Sequence, residues 1–426
     1  MLSMRVGWGI VGNQPGGEGL FYAKYGTTTS YMGNTAVYAN NIALNTLRWE
    51  EKEQYNLGTN LGFLDNKITA DVNLYKSMTT SLMMKDYPIP SSSGFETLPN
   101  KNTGRMDNVG WEFNINTYRL LHWGKWNLDL NVNFANNQNK LISMDESILE
   151  RMNEEFNFQN GKYLTHIQLK APFGAIYGFR YKGVYQYSVY SADEVPGISG
   201  PNAPVARNAA GEAILDELGK TKPVYFAYGT GSQYEFKGGD AIYEDVNHDG
   251  NINELDIVYI GSSLPKITGG FGFKLSWGSL SWSSQFNFRY GNKVINGARM
   301  NAESMYNNNN QSRAVNWRWR VEGDLTEIPR ALHDAGFNWL GSDRFVEDGS
   351  FLRLNYTSIN YAIDPKICQK LHLSRISVFL QGNNVFCLTK YSGADPEVNY
   401  GSYGIVVDNA QTPRSKSFSV GANIQF

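Results

Sequence analysis

The stretch Trp126-Asn127-Leu128-Asp129-Leu130-Asn131-Val132-Asn133-Phe134 decides the fold. Every second residue is apolar, and each residue between is Asn or Asp. A helix would scatter the two classes around its circumference, whereas an extended strand gives each its own face. The same period recurs along the chain. Ile68, Ala70, Val72 and Leu74 oppose Thr69, Asp71 and Asn73, and Trp111, Phe113 and Ile115 oppose Glu112, Asn114 and Asn116. Leu280, Trp282, Phe286 and Phe288 oppose Ser281, Ser283, Gln285, Asn287 and Arg289. At the end of the sequence Phe418, Val420, Ala422, Ile424 and Phe426 oppose Ser417, Ser419, Gly421, Asn423 and Gln425.

Strand length separates two settings for this pattern. Globular strands usually run to about five or six residues, whereas a tilted strand needs about 9–11 to cross a bilayer. A face rich in Asn and Gln suits a wet lumen, and an apolar face suits lipid. A large soluble β-sandwich alternates in the same way but needs neither such length nor terminal aromatics. Connections alternate as well. Short turns are expected at Leu64-Asp65-Asn66, Leu121-His122-Trp123-Gly124, Gly278-Ser279 and Pro365-Lys366, and long connections over 13–53, 81–108, 188–265, 292–350 and 387–414. Short periplasmic turns and long external loops are the outer-membrane pattern. For the last strand to end on the periplasmic side one strand beyond the clear runs is needed, and Lys162–Leu169 is the candidate. The expectation is an all-β, antiparallel transmembrane β-barrel segment of about twelve strands with long extracellular loops, a single unit over 1–426.

Composition agrees. Aromatic residues make up 14% of the 426, glycine numbers 43 and proline 14, which suits many strands and tight turns. Charged residues reach 18%, against about 25% in soluble proteins. A run of 18 or more apolar residues, the mark of a membrane helix, is lacking, which does not bear on a barrel. The net charge of −2 and the lack of a basic run give no footing for a nucleic-acid partner. Cys368 and Cys387 are expected at opposite ends of a strand, too far apart for the roughly 6 Å Cα spacing of a disulfide, and so as free thiols. The opening Met1-Leu2-Ser3-Met4-Arg5-Val6 has none of the parts of an export signal.

One loop has metal-ligand spacing. Asp245, Asn247 and Asp249 occupy positions 1, 3 and 5 of a twelve-residue calcium-loop pattern, Gly250 sits at the sharp turn, Asn251 can offer its carbonyl, and Asn253 and Asp256 follow at positions 9 and 12. A structural Ca²⁺ and a metal-free turn held by Asx hydrogen bonds both fit this spacing. Asp256 replaces the usual Glu, and no helix pair flanks the loop. Tyr306, Trp317, Trp319 and Trp339 could stack on sugar rings or pack a large loop. Ser143 with Glu146, before Ile148, Leu149 and Met152, reads as a capped loop helix. The five histidines are scattered, and no nucleophile elbow, phosphate loop or CxxC pair is present, so no catalytic residue is assigned. Ser419, Gly421, Ile424 and the terminal Phe426 have the form of an outer-membrane assembly signal, a last strand with an open edge that assembly machinery can template.

The ordered set Asn102-Thr103-Gly104-Arg105-Met106-Asp107-Asn108-Val109-Gly110-Trp111-Glu112, Tyr177-Gly178-Phe179-Arg180-Tyr181-Lys182-Gly183-Val184-Tyr185-Gln186, the calcium-like loop, Phe351-Leu352-Arg353-Leu354, Gly382-Asn383-Asn384-Val385-Phe386 and Asp395-Pro396-Glu397-Val398 resembles SusC/RagA-type TonB-dependent outer-membrane transporters. The resemblance covers essentially the whole sequence and departs where the family follows the loop's last Asp with Arg, since Ile257 stands here. It implies the C-terminal part of the barrel, with the plug, the TonB-contacting segment and the signal peptide preceding residue 1. It further implies import of glycans or peptides without covalent chemistry or a cofactor for transport. The implied partners are a SusD-like surface lipoprotein, the TonB complex, the barrel assembly machinery and the outer membrane itself. Two alternatives stay open: a secreted soluble carbohydrate-binding protein or hydrolase with a calcium loop, and a passive outer-membrane pore.

Overall fold

The computed structural model describes residues 1–426 apart from 15, 17–18, 150–166, 191–201, 228–232 and 402–403. The alternating stretches become ten long strands: β1 Leu2–Asn13, β2 Glu50–Phe63, β3 Ile68–Pro88, β4 Thr97–Thr117, β5 Trp126–Met144, β6 Ile267–Trp277, β7 Leu280–Tyr290, β8 Phe351–Ala362, β9 Arg375–Thr389 and β10 Ser417–Gln425. Each pairs antiparallel with the next along the chain, and the short strand Leu121–Trp123 adds to β5. β1 and β10 are not paired to each other.

These ten strands place the start of β1 and the end of β10 at the short-turn end, so the parity that called for another strand is met without it. In the candidate stretch Lys162–Leu169, residues 162–166 lie outside the described residues, and Ile167, Gln168 and Leu169 form no strand. The connection expected over 81–108 is mostly sheet, because β3 runs to Pro88 and β4 begins at Thr97. Register shifts between Thr79 and Met83 break the phase of the alternation there, and a bulge of this kind hides a period-two signal from the sequence. Pro365-Lys366 opens a one-turn helix, Pro365–Lys370, capped by the Asp364 carboxylate. Cys368 is buried in that helix, not at a strand end, and both cysteines are free. At the end of β5 the cap belongs to Asp145, which accepts the Ser147 N–H at 3.2 Å; Ser143 is still in the strand, and Met152 lies outside the described residues.

The register gives the sheet two chemically opposite faces. One lateral row runs Leu2, Leu61, Ala70, Ile115, Val132, Phe271, Phe286, Leu354, Phe386, apolar across β1 to β9. The row one residue along is Ser3, Asn60, Asp71, Asn114, Asn133, Gly270, Asn287, Arg353, Cys387, on the opposite face. A one-residue slip in any strand would place a polar residue in the apolar row. Rings lock neighbouring strands on the apolar face: Phe271 stacks on Phe286 at 4.7 Å, and Phe134 meets Phe288 edge-on at 5.7 Å.

Both ends of the apolar face carry aromatics. Trp126 and Trp277 stack at 5.7 Å near the short turns with Tyr361 beside them in register, while Trp8, Tyr55 and Tyr290 lie toward the long loops, and all six are exposed. Between the two belts a strand of this length covers about 25 Å at the usual barrel tilt, the height of a lipid-facing band.

Adjacent residues of β9 test this orientation. Leu380 lies in the apolar face opposite Ile359 and Val420, and Gln381 lies in the polar face opposite Ser358 and Ser419. In the bilayer Leu380→Arg should destabilise the sheet by about 2–4 kcal/mol, whereas Gln381→Arg should change it by less than about 1 kcal/mol; urea titration of the lipid-reconstituted protein measures both.

Candidate functional site

The long connections do not splay into solvent. Segments from 167–266 and 291–350 fold together into a cap at one end of the sheet. Its core holds Phe179, Tyr185, Phe226, Phe236, Tyr243, Ile252 and Leu340, with Phe337 stacked on Phe226 at 3.9 Å. Under this core the fully buried Asp240 carboxylate accepts from Arg330 Nε at 2.6 Å, Asn338 Nδ2 at 3.1 Å and Tyr234 OH at 2.8 Å. A charge so deep in a protein is tolerated only when paired and hydrogen-bonded. Burial pushes the Tyr185 and Tyr234 phenols well above their ordinary pKa, so they stay neutral packing groups.

The calcium-like loop hangs from this core. Ile252 is buried in it, and Asn251–Ile252 pairs parallel with Tyr225–Phe226. Asp245 accepts the N–H groups of Asp249 at 3.2 Å and Gly250 at 2.7 Å, Asn247 accepts the Asp249 N–H at 3.2 Å, and Asp249 accepts the Asn251 N–H at 2.7 Å. Gly250 has φ +82°, which glycine adopts without strain. Asp256 is fully buried and accepts the Val246 N–H at 2.8 Å and the Asn253 N–H at 2.9 Å. Burial pushes the Asp256 carboxyl up against those two bonds, and Asp245 and Asp249 add to the push. The Asp245, Asn247 and Asp249 oxygens retain lone pairs for a cation. Among the described residues, however, no three acidic, His or Cys side chains are close enough to hold a metal by themselves. Ile257, where the family pattern has Arg, packs against the cap core, so an apolar contact stands in place of a salt bridge.

The four loop aromatics do not form one platform. Trp339 is buried and meets Tyr306 at 4.9 Å, and the Trp319 ring covers Gly239, where a Cβ would approach it to 2.2 Å. Only Trp317 of the four stays open, at 73% exposure. In β10, Ser419 and Gly421 lie on the polar face and Ile424 on the apolar one, and a Cβ at Gly421 would strike the Phe379 ring at 2.5 Å. Phe426 follows β10 and is exposed.

A charged strap crosses the polar face and joins two of the quoted motifs. Arg353 on β8 pairs with Asp395 at 2.5 Å and with Glu397 at 3.4 Å, and Arg414 pairs with Glu397 at 2.8 Å. The Asp395 carboxylate also takes the N–H groups of Glu397 at 2.9 Å and Arg414 at 3.1 Å. The 390–416 connection is thereby tied to the sheet. Asp395 and Glu397 lie about twenty residues before β10 and more than forty after Arg353, so their motifs were visible in the sequence but the pairing between them was not.

No protein-family model matches the chain. Over its whole length it is 26% identical to TonB-dependent receptor P39 of Formosa agariphila and 24% identical to TonB-dependent receptor SusC of Bacteroides thetaiotaomicron, covering 40% and 37% of those proteins. It spans about two fifths of the length of the curated relatives it matches. Among solved structures, the RagAB peptide transporter superposes over all of the chain and 41% of its own, with a TM-score of 0.71 at 22% identity. The same importer in its "open-open" state gives a TM-score of 0.73 at 20% identity. In fold the chain therefore matches a segment of a TonB-dependent transporter barrel, and in sequence it is similar to TonB-dependent receptors. Within that class the likeness is to the SusC/RagA type, at its C-terminal portion, and the relatives carry receptor and transporter names and no enzyme name.

Acid should release the strap. Burial favours the neutral Asp395 carboxyl, but the two N–H bonds and Arg353 outweigh it and hold its pKa below the ordinary carboxylate value. A depressed pKa stabilises the fold above the unfolded-state value near 3.9 and loses that contribution as pH falls toward the folded value. Hydrogen exchange across 390–416 should therefore accelerate below about pH 4, and Asp395→Asn should give that faster exchange already at pH 7.

Proposed function

We propose that this chain forms barrel wall and outer cap of an outer-membrane importer that moves glycans or peptides, energised through TonB and loaded together with a SusD-like surface lipoprotein. The observation that carries the reading is the lateral apolar row from Leu2 to Phe386 backed by a row of Ser, Asn, Asp and Arg with Gly270 and Cys387. A soluble β-sandwich would cover its apolar face with a second sheet, and here that face carries exposed Val6, Trp8, Leu57, Leu74, Trp277, Leu380 and Val420. The likeness to SusC and to the RagAB peptide transporter supports the transport reading. β1 and β10 each offer an open edge, which further wall strands satisfy in lipid. Of the four aromatic candidates, Trp317 is the one placed to meet cargo or partner.

In this reading the cap lies outside the cell. Leu218 sits at the tip of a cap hairpin at 83% exposure, so Leu218→Cys should react with a membrane-impermeant maleimide on intact cells, above the background of Cys368 and Cys387. Labelling only after lysis would contradict a surface location.

We also propose Ca²⁺ in the 245–256 loop, where Asp245, Asn247, Asp249 and the Asn251 carbonyl would hold it and relieve the crowding of carboxylates. Calcium at a hundred times its Kd should stabilise the cap by about 2.7 kcal/mol, read as a higher melting temperature. Asp245→Ala should abolish that response, and no response in the parent protein would leave the Asx-bonded turn as the whole account.

A further inference from the structure

The apolar face carries a groove of about 730 Å³ across β1 to β5, on the side of the long loops. Val6, Leu57 and Leu74 share one register row within it. Two residues further along, Trp8, Tyr55 and Lys76 form the next row of the same face. Trp8 and Tyr55 belong to the loop-side aromatic belt, so the groove ends where a bilayer gives way to headgroups.

At Asn136 and Gln138, which line both, the groove meets a notch of about 390 Å³. The notch exists because β5 runs on to Met144 while its pairing with β6 stops at Ala135. Lys140, Lys266 and Lys293 line it. A Cβ at Gly291 would meet the Lys266 stem at 2.9 Å, and one at Gly261 the Lys293 stem at 2.8 Å. Two glycines thus leave room for lysine stems to lie against the backbone.

The carboxylates nearby are taken by other groups. Glu53 accepts from Trp8 Nε1 at 2.9 Å and from the Tyr55 hydroxyl at 2.6 Å. Asp107, opposite Lys140 in the register, is held by Arg105 at 2.8 Å. Asp348, opposite Lys293, accepts from the Ser350 hydroxyl at 2.6 Å. Among the described residues, none of Lys76, Lys140, Lys266 and Lys293 enters an ion pair. An apolar groove that runs into unpaired lysines at the interfacial level has the two-part chemistry of an anionic lipid.

We propose that groove and notch together hold one lipid with an anionic phosphate headgroup. Its acyl chain lies along Val6, Leu57 and Leu74, and its phosphate is met by Lys140 and Lys266, with Lys76 beside them. The groove continues the apolar row that faces hydrocarbon, which favours a membrane lipid over a soluble ligand. The inference rests on the membrane reading of that face and adds a specific lipid to it.

Native mass spectrometry of the detergent-solubilised full chain tests this with dioleoyl phosphatidate and dioleoyl phosphatidylcholine, which share acyl chains and differ in net headgroup charge. Phosphatidate should be retained about fivefold or more over phosphatidylcholine, the effect expected of one lysine at an anionic headgroup. Lys140→Gln combined with Lys266→Gln, both at exposed positions, should remove most of that preference at an unchanged melting temperature. Leu74→Trp, which fills the groove, should lower retention of both lipids. Excess inorganic phosphate should not displace phosphatidate. Equal retention of the two lipids, an unchanged preference in the double variant, unaltered retention in Leu74→Trp, or displacement by inorganic phosphate would overturn the site. Leu380→Arg and Gln381→Arg would still differ in stability in those cases, so the membrane wall stands or falls separately.

Discussion

In hydrocarbon no water is present to satisfy a backbone amide, so a chain that crosses a bilayer in extended form must pair every strand. Almost everything else in this molecule follows from that ladder. Pairing fixes the register, and the register sorts side chains into an apolar row from Leu2 to Phe386 and an opposite polar row interrupted by Gly270 and Cys387. The apolar face then needs no protein partner, and the sheet can spend its sequence on length. The polar face is left free to bind water, loops or cargo, and the Arg353–Asp395 strap uses it in that way.

The cap is built by a different logic from the wall. In the wall each residue answers to a neighbour two positions away and to partners across the ladder. In the cap, Phe226 answers to Phe337 and Asp240 to Arg330 and Asn338, contacts that join separate connections. The cap is thus a small core of the soluble kind, with buried aromatics and paired charges, mounted on a membrane sheet.

This division explains what could be read from the sequence. The wall was legible because Trp126 to Phe134 announces its own period, and β3, β4, β7 and β10 repeat it. Where a bulge shifts phase near Thr79 the signal failed, and a hairpin read as a loop. The calcium-like loop was visible because its oxygens lie within twelve residues, yet burial of Ile252 and Asp256 in the cap could not be foreseen from spacing. The four loop aromatics were visible as residue types, but their partners were not: Tyr306 meets Trp339, Trp319 covers Gly239, and Trp317 stands open. The strap residues Arg353, Asp395 and Glu397 stood in quoted motifs, but their pairing was not legible, since it joins residues about forty positions apart.

Spin labels placed in turn from Leu280 to Tyr290 on β7 in lipid bilayers test the opposition of the two faces. Collision with oxygen and collision with a water-soluble nickel reagent should alternate out of phase with a period of two. Oxygen should be favoured at Trp282, Phe286 and Phe288, and nickel at Ser283, Gln285 and Asn287. High nickel accessibility at every position, or a period near 3.6, would contradict it.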